Sequence, residues 1–147
     1  MNINKTGIWI FTLITISVIA TITGCSNSPL GRDNSVQAYS DTAELMLQAI
    51  NHNDYAAFSS DFNVQMKQSM TAPAFNKFAT AIRNKIGTYI ADRVYGMQEQ
   101  SGNMVVTFKA KFIDEPSEVT VTITFQKAHG KSLVADFNLD SPKFETK

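Results

Sequence analysis

Between residues 35 and 87, apolar side chains recur at the spacing of an α-helix. A first helix is predicted from Ser35, because a set of apolar side chains falls on one helical face. The set consists of Val36, Tyr39, Ala43, Met46, Leu47 and Ile50. Asparagine favours caps and turns over helix interiors. The run Asn51-His52-Asn53 is therefore predicted to end this helix.

Three further helices are predicted before the pattern changes. A short helix covers residues 54–59, and Asp61 is predicted to cap the next one. A longer helix opens with Thr71-Ala72-Pro73, since threonine can cap and proline is tolerated in the first turn. Gly87 is predicted to end it, because glycine is favoured just after a helix. Its buried stripe should consist of Phe75, Phe78, Ala79, Ile82 and Ile86.

After Gly87 the apolar period becomes two, which is typical of β-strands. Four strands are predicted, with turns near residues 100–103, 114–117 and 129–131. The second and third strands are predicted to present one apolar face, made of Met104, Val106, Phe108, Ala110, Phe112, Val119, Val121, Ile123 and Phe125. The inward residues of the fourth strand are predicted to be Leu133, Ala135, Phe137 and Leu139, opposite to Val134, Asp136 and Asn138.

This order of elements predicts an α+β domain. Short turns make consecutive strands antiparallel neighbours, and the segregation of helices from strands argues against a doubly wound sheet. One strand face is apolar and the other is rich in threonine and lysine, so one face should be covered and the other wet. We therefore expect N-terminal helices packed in the concave face of a curled four-stranded antiparallel sheet.

The N-terminal segment has a different pattern. Lys5 is the only charged residue before Cys25, and an apolar run begins at Gly7. A basic start, an apolar stretch and then small residues are typical of a secretory signal. The sequence Ile22-Thr23-Gly24-Cys25 resembles the lipobox of prokaryotic lipoproteins. That resemblance implies cleavage before Cys25 and attachment of a membrane lipid through the Cys25 sulfur.

An uncleaved N-terminal membrane helix is the alternative, because a spanning helix needs about 20 apolar residues and this segment approaches that length. Both interpretations place the following domain on the extracytoplasmic face of the membrane. The predicted organisation is a lipoprotein signal peptide at 1–24, a lipidated tether at 25–34, a single α+β domain at 35–143 and a tail at 144–147.

Composition narrows the possible partners and chemistry. The chain carries 13 Lys and Arg residues and 13 Asp and Glu residues. Nucleic-acid binding would show as a basic patch or run, so no nucleic-acid partner is predicted. Cys25 is the only cysteine, and His52 and His129 both lie in predicted turns without ligand spacing to a carboxylate pair. No metal, cofactor or catalytic motif is predicted.

Tyr89, Arg93 and Tyr95 form the one constellation that suggests a ligand site. Strict alternation places all three on one face of the first strand. If that face is concave, Arg93 needs an acidic partner, and Asp136 and Asp92 are the candidates. A cation beside two aromatic rings can then hold a small anionic or aromatic ligand. If the residues between them face inward instead, Arg93 lies on the wet face.

Five segments, in this order, resemble the family known as domain of unknown function 3887, which has a nuclear-transport-factor-2-like (cystatin-like) fold. They are Asp54-Tyr55-Ala56-Ala57-Phe58, Lys85-Ile86-Gly87-Thr88-Tyr89, Val106 to Phe112, Glu118-Val119-Thr120-Val121 and Leu139-Asp140-Ser141-Pro142. The resemblance spans about residues 36–143. It implies the fold and no activity, because one fold hosts many functions.

The favoured hypothesis is a non-enzymatic small-ligand or protein-interaction module that acts on an envelope protein or a second copy of the chain. The open sheet face would contribute Thr120, Thr122, Thr124, Lys109 and Lys111. A structural envelope lipoprotein without a ligand is the close alternative. An enzyme of the isomerase or dehydratase type is a third hypothesis, with Asp92, Tyr89 and Tyr95 as candidates in a cone-shaped cavity.

Overall fold

The computed structural model describes residues 30–144. The predicted signal segment, Cys25 and the first part of the tether lie outside the described residues, as do residues 145–147. Among the described residues, no helix is both long and apolar enough to cross a membrane.

Four helices precede the sheet: α1 Leu30–His52, α2 Tyr55–Phe58, α3 Val64–Ser69 and α4 Ala72–Ile86. The first helix begins before the predicted start at Ser35. Among residues 34–52 of this helix, Tyr39 is the first that is buried. Apolar periodicity shows only the part of a helix that packs against the core. A helix that has nucleated can extend beyond that part, because each added residue forms one more hydrogen bond. The apolar pattern therefore did not extend the predicted helix to residues 30–34, which the prediction assigned to the tether.

The strands are β1 Tyr89–Gln100, β2 Asn103–Phe112, β3 Glu115–Ala128 and β4 Lys131–Asp140. They pair antiparallel in sequence order, β1-β2-β3-β4. The predicted α+β class and strand order are confirmed. Phe112 pairs with Glu115, so β3 begins inside the predicted turn at 114–117.

Gly87 ends α4 as predicted and sets the entry into β1. Its φ is 80°, and an added Cβ would collide with the side chains of Ile113 and Asp114. Only glycine suits both the angle and the space. The Asn51 side chain then fastens the start of β1. Its Nδ2 donates to the Tyr89 carbonyl at 2.9 Å, and its Oδ1 accepts from the Tyr89 N–H at 2.8 Å.

The core lies between the helices and one face of the sheet. Helix α4 buries Phe75, Ala79, Ile82 and Ile86, and Phe78 is partly buried. Phe58 of α2 is 1% exposed. Its ring centroid lies between 4.6 and 6.4 Å from those of Phe62, Phe75, Phe78 and Phe137. The predicted apolar faces of β2 and β3 are confirmed, because they cover this aromatic layer.

The fourth strand departs from the predicted alternation. Val134 is buried and pairs with Phe125, whereas Leu133 is only partly buried. Ala135 is the extra residue of a bulge in the β3–β4 register. A bulge reverses the face on which the residues before it lie. The prediction that Val134 faces outward is therefore wrong, while Phe137 faces the core as predicted.

The segment between α2 and α3 also differs from the prediction. The Asn63 side chain caps α3 by accepting from the Met66 N–H at 2.8 Å. The prediction that Asp61 caps this helix is therefore wrong. The Asp61 carbonyl instead accepts from the Val134 N–H at 2.7 Å. The Asn63 N–H donates to the Val134 carbonyl at 2.9 Å, and Phe62 forms a parallel bridge beside β4.

The C-terminal end of the described chain is fastened to the start of β3. Ser141 Oγ donates to Glu115 Oε2 at 2.6 Å, and the Ser117 N–H donates to Oε1 at 3.1 Å. The bond from Ser141, followed by that from Ser117, holds the pKa of Glu115 below its ordinary value. Phe144, assigned to the tail in the predicted organisation, packs against the core at the end of a 3₁₀ turn, Pro142–Phe144.

Candidate functional site

Strand β1 leaves strict alternation twice, and this separates the predicted ligand residues. Its register with β2 shifts between Tyr89 and Ala91 and again between Val94 and Gly96. Tyr89 pairs with an inward residue of β2, whereas Arg93 pairs with Lys109 on the outer face. The prediction that all three share a face is therefore wrong for Tyr89, because the first bulge reverses the alternation, whereas Arg93 and Tyr95 lie together on the outer face.

On the inner side, Tyr89 forms a polar cluster with two carboxylates. Tyr89 is 4% exposed, and its hydroxyl donates to Glu44 Oε2. Glu44 Oε1 also accepts from Gln48 Nε2 at 3.0 Å. Burial is the main cause that raises the pKa of Tyr89 far above its ordinary value, and the bond to Glu44 adds to it. Tyr89 therefore acts as a neutral donor at ordinary pH.

Asp92 is the second carboxylate near Tyr89. Its Oδ2 is buried and has no hydrogen-bond partner among the described residues. Burial raises the pKa of Asp92, the Tyr89 hydroxyl partly offsets that rise, and the charge of Glu44 adds to it. A buried carboxylate oxygen without a donor favours the protonated form. The cluster can therefore take up a proton at Asp92. The sequence did not reveal this cluster, because Glu44 lies on α1, far along the chain from Tyr89 and Asp92.

On the outer side, Arg93 is paired with an acid that was not predicted. Its Nη2 lies 3.1 Å from both carboxylate oxygens of Glu118. Arg93 thus lies on the wet face, which was one of the two alternatives. Asp92 and Asp136, the partners expected for a concave face, do not pair with it, because Asp92 lies on the other face and Asp136 lies across the sheet on β4. The separation of 25 positions between Arg93 and Glu118 hides this pair from local sequence patterns.

Tyr95 lies beside two cations on the same outer face and is 65% exposed. The Arg93 guanidinium carbon is 5.9 Å from the Tyr95 ring centroid, and Lys109 Nζ is 5.1 Å from it. Lys109 Nζ also donates to Thr120 Oγ1 at 2.8 Å. An aromatic ring flanked by cations can receive a carboxylate and an apolar group together.

Two open grooves flank Tyr95 on this face. One, of about 240 Å³, is lined in part by Arg93, Lys109, Lys111 and Glu118. The other, of about 260 Å³, is lined by Tyr95, Gly96, Met97, Gln98, Val105 and Thr107. The first groove is lined mostly by charged side chains, whereas the second is lined by apolar and uncharged polar side chains. The exposed Tyr95 ring therefore lies between a charged groove and an uncharged one.

The two histidines lie at opposite ends of the sheet. His52 ends α1 beside the start of β1, and His129 lies in the β3–β4 turn at the other end of the sheet. Within residues 30–144, no three His, Cys, Asp or Glu side chains lie close enough to hold a metal ion. Cys25 lies outside the described residues.

Helices on one face of a curled four-stranded antiparallel sheet define the nuclear-transport-factor-2-like class of α+β domains. The family model described as protein of unknown function (DUF3887) matches residues 43–129. The chain belongs to this family. A search of the curated proteins found no match.

Two solved structures with TM-scores of 0.51 and 0.50 show the same fold, and a third is similar at a lower score. A chain named Rd1NTF2_05 with five substitutions is 11% identical, with a TM-score of 0.51 over 74% of this chain and 98% of that one. Bd1075 from Bdellovibrio bacteriovorus is 12% identical, with a TM-score of 0.50 over 78% of this chain and 43% of that one. A DUF4783 family protein from Bacteroides ovatus is 15% identical, with a TM-score of 0.45 over 66% of this chain and 92% of that one. At such identities the likeness concerns the fold alone.

Proposed function

We propose that the protein is a membrane-anchored extracytoplasmic lipoprotein whose domain is a non-enzymatic interaction module. The outer sheet face is the binding surface, and its partner is an envelope protein or a second copy of this chain. One observation carries this proposal: Tyr95 is 65% exposed between Arg93 and Lys109. Tyrosine and arginine are the residue types that most often dominate protein interfaces.

The contrast with the inner side supports this choice of surface. The space between sheet and helices is filled by packed aromatic rings centred on Phe58. The outer face instead offers the grooves beside Tyr95, which are open to solvent. A partner that presents carboxylates beside apolar groups would match the two cations and the ring.

The test places a photocrosslinking amino acid at Tyr95 in the full chain expressed in membranes. Ile113 is the matched control position, because it is also 65% exposed but lies in the β2–β3 turn. We expect a discrete crosslinked product at position 95 and none at 113, identified by mass spectrometry as a partner protein or a second copy. Products that are equal at both positions, or absent at 95, would refute the binding face and favour a structural lipoprotein without a ligand.

The anchor has its own test. Cys25 is the predicted lipidation site, so the mass of the membrane-extracted protein should correspond to a chain that begins at Cys25 and carries a lipid. Cys25→Ser should release or mislocalise a folded domain. An intact Met1 terminus without added lipid would instead identify an uncleaved N-terminal helix as the anchor.

An enzyme of the isomerase or dehydratase type is a second candidate, and the cluster of Tyr89, Glu44 and Asp92 favours it. A neutral phenol donor beside a carboxylate with a raised pKa can move a proton on a bound substrate. Tyr95 cannot contribute, since it lies on the outer face. Any turnover found in a substrate screen should be lost in Asp92→Asn and kept in Tyr95→Ala. Turnover that survives Asp92→Asn would rule this candidate out.

A further inference from the structure

The two ends of α1 contact opposite ends of the sheet. Near its C-terminal end, Asn51 binds the backbone of Tyr89 at the start of β1. Nearer its N-terminal end, the Tyr39 ring centroid lies 4.5 Å from that of Phe125 near the end of β3. Strands β1 and β3 run in the same direction, so the start of β1 and the end of β3 lie at opposite ends. Helix α1 therefore begins at the end of the sheet that carries the β3–β4 turn.

The chain between Cys25 and Leu30 is too short to hold this end far from a lipid attached at Cys25. Leu30 lies five positions after Cys25, and an extended chain spans at most about 3.5 Å for each step, or roughly 18 Å. Leu30 lies about 14 Å along the helix from Tyr39, and Ala128 lies about 10 Å along β3 from Phe125. The start of α1 and the β3–β4 turn therefore extend to similar distances beyond the contact between Tyr39 and Phe125.

The β3–β4 turn has the chemistry of a surface that meets anionic lipid. Residues 126–135 contain no acid, and Lys127, His129 and Lys131 are all exposed. Among the described residues, the only salt bridge joins Arg93 to Glu118, so neither lysine of the turn has an ion-pair partner. A lysine near an anionic membrane surface contributes about 1 kcal/mol of attraction.

An exposed apolar side chain lies beside the β3–β4 turn. Val64, at the start of α3, is 72% exposed. It lines a groove of about 380 Å³ together with Leu133 and His129. Amphipathic surfaces of this kind bind the headgroup region through cations and bury apolar side chains just below it.

The opposite end of the sheet carries charges of both signs. The β2–β3 turn and the start of β3 carry Asp114, Glu115 and Glu118. Glu118 is paired with Arg93, and Glu115 is bound by Ser141. Lys143, which donates to the Asp114 carbonyl, and Lys111 near the end of β2 lie at this end too, so it lacks the purely cationic character of the β3–β4 turn.

We infer that the β3–β4 turn, together with Val64, faces the bilayer and docks on anionic phospholipid headgroups, which fixes the orientation of the domain. This inference rests on the proposed function, because it needs the lipid on Cys25. Two lysines are too weak to hold the domain on a membrane alone. The lipid supplies attachment, and the turn supplies orientation, leaving the outer sheet face accessible from the side.

The test uses the lipidated full chain in vesicles. Ser132→Cys and Ser117→Cys each introduce one free thiol, since Cys25 carries the lipid. The two serines are a matched pair, because both are exposed but lie at opposite ends of the sheet. Each thiol is labelled with an environment-sensitive fluorophore, and the vesicles contain headgroup spin-labelled lipid in phosphatidylcholine, with or without phosphatidylserine.

In vesicles with phosphatidylserine we expect quenching at Ser132→Cys to exceed that at Ser117→Cys several-fold. Lys127→Gln with Lys131→Gln, or added salt, should reduce that ratio towards one. Equal quenching at both positions, or stronger quenching at Ser117→Cys, would overturn the orientation while leaving the anchor intact. A mass without lipid on Cys25 would refute the anchor and with it this inference, so the two failures are distinguishable.

Discussion

Two tyrosines of β1, six positions apart, have opposite surroundings. Tyr89 is 4% exposed, donates to Glu44, and has its backbone fixed by Asn51. Tyr95 is 65% exposed and lies beside Arg93 and Lys109. An even separation in a regular strand would place them on one face. The first bulge of β1, between Tyr89 and Ala91, reverses the alternation, so Tyr89 faces the core and Tyr95 lies on the candidate binding face.

The comparison extends to the two faces of the sheet as a whole. The inner face is stabilised by packing, so its side chains should dominate the free energy of unfolding. The outer face carries exposed polar and charged side chains, whose individual contributions to stability are small. A side chain on the outer face can therefore be replaced to test binding without unfolding the domain.

Phe58→Ala should produce the largest effect on stability. Phe58 is 1% exposed and its ring contacts four other aromatic rings. Replacing a buried phenylalanine by alanine costs about 3–5 kcal/mol. Urea unfolding monitored by circular dichroism measures the loss, with Ile113→Ala as the exposed control, expected within about 0.5 kcal/mol of wild type. Similar losses in the two variants would break the contrast between interior and surface.

Asn51→Ala should come second. It removes both hydrogen bonds to the Tyr89 backbone and leaves those groups without partners. Leaving buried polar groups unpaired costs about 1–3 kcal/mol. Asn138→Ala, on the exposed side of β4, is the control and should stay within about 0.5 kcal/mol of wild type in the same unfolding measurement. A neutral Asn51→Ala would show that the start of β1 is not held by this side chain.

Asp92→Asn tests the proton linkage of the inner cluster. The folded pKa of Asp92 is raised above its ordinary value of 3.8. Between these two pKa values the folded state binds more protons than the unfolded state, so stability falls as pH rises. The asparagine variant should therefore melt higher than wild type at neutral pH, and the gain should vanish below pH 3.8. Melting temperatures across this range measure it, and a gain that did not change with pH would contradict it.

Arg93→Gln should have the smallest effect on stability. Its salt bridge to Glu118 joins two exposed side chains. Such pairs contribute about 0–1 kcal/mol and are screened by salt. We expect a loss in that range at low salt and a smaller one at high salt, measured by denaturant unfolding. A loss as large as that of Asn51→Ala would place Arg93 among the structural residues and weaken its role in binding.

The sequence predicts those parts of the fold in which side chains repeat regularly. The two-residue period of apolar side chains predicts the apolar faces of β2 and β3. The helical period of apolar side chains predicts the buried stripe on α4. Bulges interrupt the period without a composition signal, so the shared face of Tyr89 and Arg93 and the outward face of Val134 were predicted wrongly. Contacts between distant elements, such as Tyr89 with Glu44, depend on how α1 crosses the sheet, and no local pattern encodes that crossing.

The segment Asp61–Asn63, which bonds to Val134, has a consequence for solubility. Strand β4 is an outermost strand, and its unpaired backbone groups could template the addition of a strand from another molecule. The segment occupies two of those groups and places the Phe62 side chain in the core. Covering this part of the edge therefore protects the domain from strand-by-strand aggregation when copies of the chain meet.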